Sequence, residues 1–419
     1  MCWSKFRKSF LGEKLRLFFP NWVVNVFKHF PLAFLAIVFF GYPARRLRII
    51  GITGTDGKTT TSNLIHWILT SARRKTGLIS TGVTKLGTKE IHTGLHVTSP
   101  EPWILQRLLR RFVKEGVKDV VLEATSQGLV QNRLWGCHFL IAAVTNVTHE
   151  HLDYHQSYQN YLQAKNRLFK RVKIAVLNKD DESYSFFQKE IQKTKAKLVT
   201  YGLKSKADFT PQSFPFKTKL LGEFNQYNCL AAAAVTSSLG INKGQIKKAI
   251  ATFEGVKGRL EEVKAGQPFR VFIDFAHTPN ALGNTLKALK SITPKGHFLI
   301  AVFGSAGGRD KSKRPLMGEQ AAQYADLVVL TEDDPRNENV EEIIEQIAQG
   351  CLKAGAKEDK TLFRIPNRGQ AMRVALKKLA QKDDIVVICG KGHQQVMYGK
   401  TEYPWNDFQV AQKIIKGRK

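Results

Sequence analysis

The sequence is short of several features that mark large protein classes. Its five cysteines, Cys2, Cys137, Cys229, Cys351 and Cys389, are odd in number, far apart and never in a C-x-x-C pair. That argues against a disulfide framework or a zinc site and for reduced thiols in a cytosolic protein. Acidic residues are scarce: 35, against 65 Lys and Arg, leave a formal net charge of +30. Such a surplus favours polyanionic partners, among them nucleotides, phosphorylated sugars and an anionic membrane face, although solubility alone would account for cations spread along the chain. No basic block alternates with aromatics and no zinc-finger or RNA-motif signature appears, so nucleic acid is not an expected partner. No Ala-x-Ala-like cleavage site follows the first apolar stretch, and a removed signal peptide is not expected.

At 419 residues with 43% hydrophobic content, the chain has room for two or three globular domains and is not of disordered composition. Residues 1–46 differ from the rest. Lys5, Arg7, Lys8, Lys14 and Arg16 precede an aromatic-rich apolar stretch that ends near Tyr42-Pro43. Its apolar part, Phe30 to Tyr42, is shorter than the ~20 residues a spanning helix needs. It reads as a helical segment that either meets a membrane surface or covers the neighbouring sheet.

From Leu47 onward, short β-branched runs alternate with helical stretches, at Arg48–Thr53, Asp119–Thr125, Ala142–Thr145 and Ile174–Asn178. After a Lys-rich connection, Lys204–Lys219, and an alanine-rich helix, Asn225–Leu239, the rhythm resumes at Arg270–Phe275, Phe298–Phe303, Leu327–Thr331 and Ile385–Cys389. The fold class is α/β, each block with a mostly parallel sheet. The expected domains are a helical segment at 1–46, a nucleotide-binding domain at 47–255 and a Rossmann-like α/β domain at 256–419, with a site between the last two.

The first run, Ile49–Thr53, leads directly into Gly54-Thr55-Asp56-Gly57-Lys58-Thr59-Thr60-Thr61. A strand, a glycine loop and a helix N-terminus aim several backbone N–H groups at one point, where a triphosphate is well stabilised. Lys58 would reach the terminal phosphates, and the Thr59 hydroxyl would sit on Mg²⁺. The spacing departs from the common G-x-x-x-x-G-K-[ST], because Ile52 stands at the first glycine. The form T-G-T-[DN]-G-K-T instead resembles the Mur ligases and their folylpolyglutamate synthase relatives, and the likeness extends over nearly all of residues 47–416.

Further segments carry the resemblance. Glu123-Ala124-Thr125-Ser126-Gln127-Gly128-Leu129 is similar to E-[VA]-S-S-H-G-L, Thr145–His155 to T-N-[LV]-x-x-[DE]-H-L-D-Y-H, and Ala164–Phe169 to A-K-x-x-L-[FY]. The resemblance implies Glu123 and His151 as Mg²⁺ ligands. It implies Lys165 as a lysine that takes up CO₂ to form a carbamate and hold a second metal. Gln127 stands where the family has His, and Thr125 where it has Ser. Gly222–Asn228 resembles G-x-F-N-x-x-N, implying Asn225 and Asn228 near adenine; Gly258–Glu261 resembles G-R-x-E, implying Arg259 at the phosphates. Asp274–Leu282 is close to D-Y-A-H-T-P-D-A-L, implying Asp274 and His277 beside the nucleotide, although Asp274 could also be read as part of a helix cap.

Within the family, four segments resemble the branch that adds the third residue of a peptidoglycan precursor. They are Thr98-Ser99-Pro100-Glu101, Gly307–Met317, Asp333-Asp334-Pro335-Arg336 and Gly390-Lys391-Gly392-His393-Gln394. That branch implies Arg309 and the D-N-P-R-like segment (Asp333, Asp334, Pro335, Arg336), with Gly390 and Gln394, around the incoming amino acid. Arg336 suits bidentate capture of a carboxylate, as on meso-diaminopimelate, with lysine the second choice. Asp334 replaces Asn and Gln394 replaces Glu, which rearranges the local charge. Thr98, Ser99, Thr125, Gln131 and Arg133 match positions that contact a UDP-N-acetylmuramoyl-dipeptide-like acceptor. The family's N-terminal uridine-holding domain has no counterpart in residues 1–46, which leaves the acceptor open between UDP-linked and lipid-linked forms.

The activity this resemblance implies is ATP-dependent amide formation through an acyl phosphate, adding a diamino acid. A folylpolyglutamate-type ligase is the alternative. A simple phosphohydrolase or kinase would use Lys58 and Thr59 but leave Lys165, Arg309 and Arg336 without a role, and a non-catalytic assembly module would need no ATP site.

Overall fold

The computed structural model describes residues 27, 29–91, 98–148, 150, 152–399 and 401–417, without the side chains of 152 and 153. His151 lies outside the described residues, as do most of residues 1–28.

The first sheet has eight strands: β1 (Arg48–Thr53), β2 (Thr76–Ser80), β3 (Val83–Leu86), β4 (Lys89–Glu90), β5 (Asp119–Glu123), β6 (Phe139–Val144), β7 (Ile174–Asn178) and β8 (Lys197–Tyr201). Their order is β4-β3-β2-β5-β1-β6-β7-β8, parallel from β2 to β8, with β3 and β4 added antiparallel. Helices cover both faces, so the inner strands are buried on both sides and read as continuous apolar runs. The helices that matter for the site are α1 (Phe30–Phe39), α2 (Lys58–Ser71), α3 (Pro102–Lys114), α4 (Ser126–Val130), α5 (Tyr158–Asn166) and α6 (Glu223–Ser238).

The second sheet has six strands: β9 (Glu261–Glu262), β10 (Arg270–Asp274), β11 (Leu299–Phe303), β12 (Leu327–Leu330), β13 (Leu362–Arg364) and β14 (Ile385–Cys389). They run β13-β12-β11-β14-β10-β9, parallel except for β9. Among its helices are α7 (Pro279–Lys290) and α8 (Lys313–Tyr324), and a small hairpin, β15 (Val396–Tyr398) and β16 (Glu402–Pro404), follows β14. In α7 the first turn is set by Pro279 and by the Thr278 hydroxyl, which caps Ala281 N.

Two pairs of apolar clusters, one on each face of each sheet, form the cores. With the sheets anchored in this way, loops at the C-terminal ends of β1, β5, β6, β10 and β14 face one shared space. Open α/β sheets gather their ligands at such strand ends.

Candidate active site

One cleft of about 1110 Å³ lies between the two sheets, lined by residues of both. At its floor is the loop after β1. Gly57 has φ +79°, and a Cβ there would lie 2.3 Å from Asn228 Oδ1; Gly54 has φ +147°, and a Cβ would meet Thr145 Oγ1 at 1.9 Å. Only glycine lets the loop curl this tightly against its neighbours. Asn146 Oδ1 accepts from Asp56 N (2.9 Å) and Thr145 Oγ1 donates to Asp56 O (2.6 Å). Lys58 Nζ is folded over the loop onto Thr55 O at 2.6 Å. Thr55, Asp56, Gly57, Lys58, Thr59 and Thr60 all line the cleft.

Glu123 ends β5 at 1% exposure. Its carboxylate accepts from Thr59 Oγ1 (3.1 Å), Thr81 Oγ1 (3.0 Å), Thr81 N (3.0 Å) and Ser80 Oγ (2.5 Å). This is a set of hard oxygen donors beside the phosphate loop, which suits Mg²⁺. Among the described residues no group of three His, Cys, Asp or Glu could hold a metal ion. The fit therefore rests on Glu123, on hydroxyls and on the oxygens of a bound phosphate.

Arg259 reaches across from the second sheet. Its Nη2 donates to Thr59 Oγ1 (3.3 Å), its guanidinium lies over the Phe275 ring (4.4 Å), and its buried Nε has no hydrogen-bond partner. A buried cationic N–H without an acceptor is costly, and a phosphate oxygen would satisfy it. Asp274 does not cap α7. It accepts from Leu260 N (2.7 Å) and Ala276 N (2.8 Å), and burial raises its pKa. It thereby fixes the turn that carries Arg259. His277 Nε2 stands 3.5 Å from Glu150 Oε1, bridging the two halves of the cleft. Asn228 is bonded to Asn225 (2.9 Å) and to Thr61 (3.1 Å), so this pair braces the start of α2 as well as lining the cleft.

Lys165, on α5, is no solvated helix lysine. It is 1% exposed, its Nζ donates to Gly54 O at 2.7 Å, and it lies 4.2 Å from the centre of the Tyr161 ring. Burial, reinforced by Lys58, pushes its pKa well below the ordinary lysine value.

Beside Glu123, Thr98 Oγ1 meets Thr81 Oγ1 (2.8 Å), and Ser99 Oγ accepts from Thr125 N (3.0 Å). Thr125 caps α4 by accepting from Gly128 N, which is the local reason that a hydroxyl serves there. Arg133 donates to Ser99 O (3.1 Å) and to Gln131 Oε1 (2.8 Å). Gln131 itself is buried, held by Arg133 and Tyr154, and lies behind the wall.

The loop after β12 carries unusual backbone: Asp334 has φ +45° and Arg336 +55°. Arg309, Asp334, Arg336 and Gln394 line the cleft. Asp333, Pro335 and Gly390 lie behind that lining. Asp333 is buried and packed so close to Gly390 that a Cβ there would lie 2.2 Å from its Oδ2; the Pro335 carbonyl fills the space beside Gly307. These three shape the loop that presents Arg336. The extra carboxylate of Asp334 is not left facing the cleft alone. Buried Lys391 donates to its Oδ1 at 2.5 Å, and Tyr398 N donates to the same oxygen at 2.9 Å. His393 packs on the other sheet's Gly82, where a Cβ would meet its ring at 2.3 Å. Thr81, His393 and Asn280 also line the cleft, and Lys391 lies buried behind Asp334; none of the four was assigned a role by the sequence motifs. Thr81 follows β2, a strand with a weak apolar run.

A glycine loop before a helix, a buried carboxylate ringed by hydroxyls and a set of arginines share one cleft, an arrangement that suits an enzyme acting on a nucleoside triphosphate. Two family profiles match the chain, the Mur ligase middle domain over residues 52–236 and the Mur ligase glutamate ligase domain over 258–392. The UDP-N-acetylmuramoyl-L-alanyl-D-glutamate--2,6-diaminopimelate ligase of Geobacillus thermodenitrificans is 38% identical over 416 residues, covering 93% of this chain and 83% of the relative. A UDP-N-acetylmuramyl-tripeptide synthetase of Roseiflexus sp. is also 38% identical, covering 92% and 81%. A solved UDP-N-acetylmuramoyl-L-alanyl-D-glutamate--2,6-diaminopimelate ligase superposes with a TM-score of 0.61 at 32% identity, over 88% of this chain and 78% of that one. Folylpolyglutamate synthase of Mycobacterium tuberculosis shares the fold, with a TM-score of 0.70 at 16% identity, over 93% and 95%. The chain belongs to the Mur ligase family, ATP-dependent ligases that form amide bonds.

Proposed function

We propose that this enzyme joins the amine of a diamino acid to a carboxylate of a UDP-N-acetylmuramoyl-dipeptide-like peptidoglycan precursor, with meso-diaminopimelate the first choice and lysine the second. It does so in the cytoplasm, at a membrane surface, with residues 47–255 as the nucleotide-binding part and 256–419 as the part that takes the amino acid. The observation that carries the reading is one cleft in which Glu123 and Arg259 both bond Thr59 beside the glycine loop while Arg309 and Arg336 line the same space, free to receive an amino acid's carboxylate.

An acceptor carboxylate oxygen attacks the γ-phosphorus of ATP and ADP leaves; the amine then attacks the acyl carbon, phosphate departs, and the amine gives up a proton. The residues contribute mainly position and charge. Lys58, the loop N–H groups and Arg259 hold the phosphates in line; Asn225, Asn228, Asp274 and His277 support the nucleotide. Glu123 and Thr59, with His151, would hold Mg²⁺, which when bound screens the crowded oxygens. Lys165, as a carbamate, would add an anion on the same side. Thr98, Ser99, Thr125 and Arg133 would steer the acceptor, and Arg309 and Arg336 the distal carboxylate of the amino acid.

Incubation with ATP, Mg²⁺, UDP-N-acetylmuramoyl-dipeptide and a panel of amino acids, read by product mass, tests this. A product heavier by one diamino acid is the expected result. ADP release that does not depend on an added amino acid would overturn it. The folylpolyglutamate alternative is supported by fold alone; extension of a folate with glutamate in the same assay would favour it.

A further inference from the structure

α1 is built with its large apolar side chains outward. Its buried residues are Ala33, Ala36 and Ile37, whereas Leu32, Phe34, Leu35, Val38 and Phe39 are 49% to 64% exposed. An amphipathic helix covering a sheet buries its larger apolar side chains, so packing on the domain does not explain this composition. Trp103 at the start of α3 and Trp135 beyond α4 extend the same surface. Phe39 stacks on Trp103 at 4.9 Å, Phe30 meets Trp135 edge-on at 4.8 Å, and both tryptophans remain more than a third exposed. Contiguous apolar surface of this kind on a protein otherwise rich in charge marks a contact face.

The rim of that face is basic. Arg45 and Arg46 end the short 3-10 turn Pro43–Arg46 that follows α1, and Arg107, Arg110, Arg111 and Lys114 are exposed along α3, which has no acidic residue between Pro102 and Lys114. Deepening the membrane-surface part of the function proposed above, we propose that the outer face of α1, with Trp103 and Trp135, lies flat on an anionic bilayer while these arginines meet the headgroups. Charge selects the occupant. A second copy related by a two-fold axis would set the same basic rim against itself, whereas an anionic leaflet attracts each cation by about 1 kcal/mol. Residues 1–26 repeat the composition, pairing Trp3, Phe6, Phe10 and Trp22 with Lys5, Arg7, Lys8, Lys14 and Arg16, so the same surface suits both segments. α1 is 10 residues long, and among the described residues no helix is long and apolar enough to cross a membrane, so the contact is one of lying on the surface. Trp103 and Trp135 follow closely on Ser99 and Arg133, which line the cleft. The docked face thus borders the acceptor end, and an acceptor would enter from beside the bilayer.

The test is co-sedimentation of the full chain with phosphatidylcholine vesicles, with and without roughly one-third phosphatidylglycerol, at low and high salt. Wild type should sediment with the anionic vesicles at low salt only. The double variant Leu35→Glu/Val38→Glu and the charge reversal Arg110→Glu/Arg111→Glu should each lower the vesicle affinity by about tenfold or more. Light scattering on the same samples should show no change of mass in solution. Absence of vesicle binding by wild type overturns the proposal, as does undiminished binding by both variants, which would place the contact elsewhere in the chain. A wild-type dimer dissolved by Leu35→Glu/Val38→Glu overturns it in favour of a second copy. None of these readouts requires turnover, so failure of the ligase assay and failure of the docking assay are told apart.

Discussion

Asn280 Nδ2 donates to Asp56 Oδ2 at 2.7 Å, tying the first turn of α7 to the phosphate loop of the other sheet. The family pattern has an aspartate at the position of Asn280. Two carboxylates at this distance would repel, and Asp56 is already raised in pKa, by burial and then by Glu150. The amide at 280 therefore complements the acid at 56 and links the two sides of the cleft.

Asn280→Asp should weaken this link by the value of one charge-assisted hydrogen bond, about 1.5–3 kcal/mol, and lower kcat/KM for ATP by about tenfold to a hundredfold. The swap Asp56→Asn/Asn280→Asp rebuilds the pair in reverse and should recover most of that loss. Steady-state kinetics of the two single variants and the double variant check it; additive losses in the double would mean that the two side chains do not act together.

Amino-acid choice should depend on Arg336 and on the pairing of Asp334 with Lys391. Arg336→Ala removes a bidentate partner for a distal carboxylate and should reduce the preference for diaminopimelate over lysine by about tenfold to a hundredfold. Asp334→Asn leaves Lys391 without its buried counter-charge and makes the pocket more positive, which should move the preference further towards diaminopimelate. Competition experiments with both amino acids, read by product mass, give the ratios directly. An unchanged ratio in Arg336→Ala would remove that residue from specificity.

Acid should destabilise the first domain through His66. This side chain is 4% exposed, its Nε2 has no partner, and burial lowers its pKa from 6.5 to about 4. Between those values the unfolded chain binds a proton that the folded chain refuses, so stability falls as pH drops from about 6.5 and levels off below about 4. The difference amounts to about 3 kcal/mol at most. Urea unfolding of wild type and His66→Leu at several pH values isolates it. The variant should lack this component of the pH slope.

Much of the fold was legible in the order of residues. The runs Arg48–Thr53, Ile174–Asn178 and Ile385–Cys389 are strands with those bounds, because parallel strands buried on both faces read as near-continuous apolar runs, in β1 even across Gly51. β2 is less legible. Thr76-Gly77-Leu78-Ile79-Ser80 has only two large apolar residues, because its ends are polar and the Phe112 ring lies where a Cβ of Gly77 would be, at 2.7 Å. With β2 went Thr81, whose hydroxyl and N–H both serve Glu123. That the loop Thr55–Thr60, Glu123 and Arg259 share one cleft could be expected from motifs, since each lies in a segment of fixed local spacing. The Lys391–Asp334 and Asn280–Asp56 pairs join residues far apart in the chain, and no local pattern encodes such pairings.

Lys165 should carry CO₂ at neutral pH. Carbamate formation needs a neutral amine, and an ordinary lysine is almost wholly protonated at pH 7. Here burial first, then the nearby Lys58, hold the folded-state pKa well below 10.5. Between the folded value and about 10.5 the unfolded chain binds one more proton than the folded chain. Without the carbamate, stability therefore rises with pH across this window, and the folded amine is neutral within it and available to CO₂. Addition forms one N–C bond, releases one proton and converts a would-be cation into an anion beside Gly54 and the phosphate loop. Carbon NMR of protein equilibrated with ¹³C-labelled bicarbonate should show one carbamate resonance near neutral pH that is absent from Lys165→Ala. That variant should lose ligation while still binding ATP, because Lys58, Thr59 and Arg259 remain. Short carboxylic acids, small enough to enter the space left by the side chain, should restore part of the activity. Full turnover of Lys165→Ala in CO₂-depleted buffer would show that the anion is not needed.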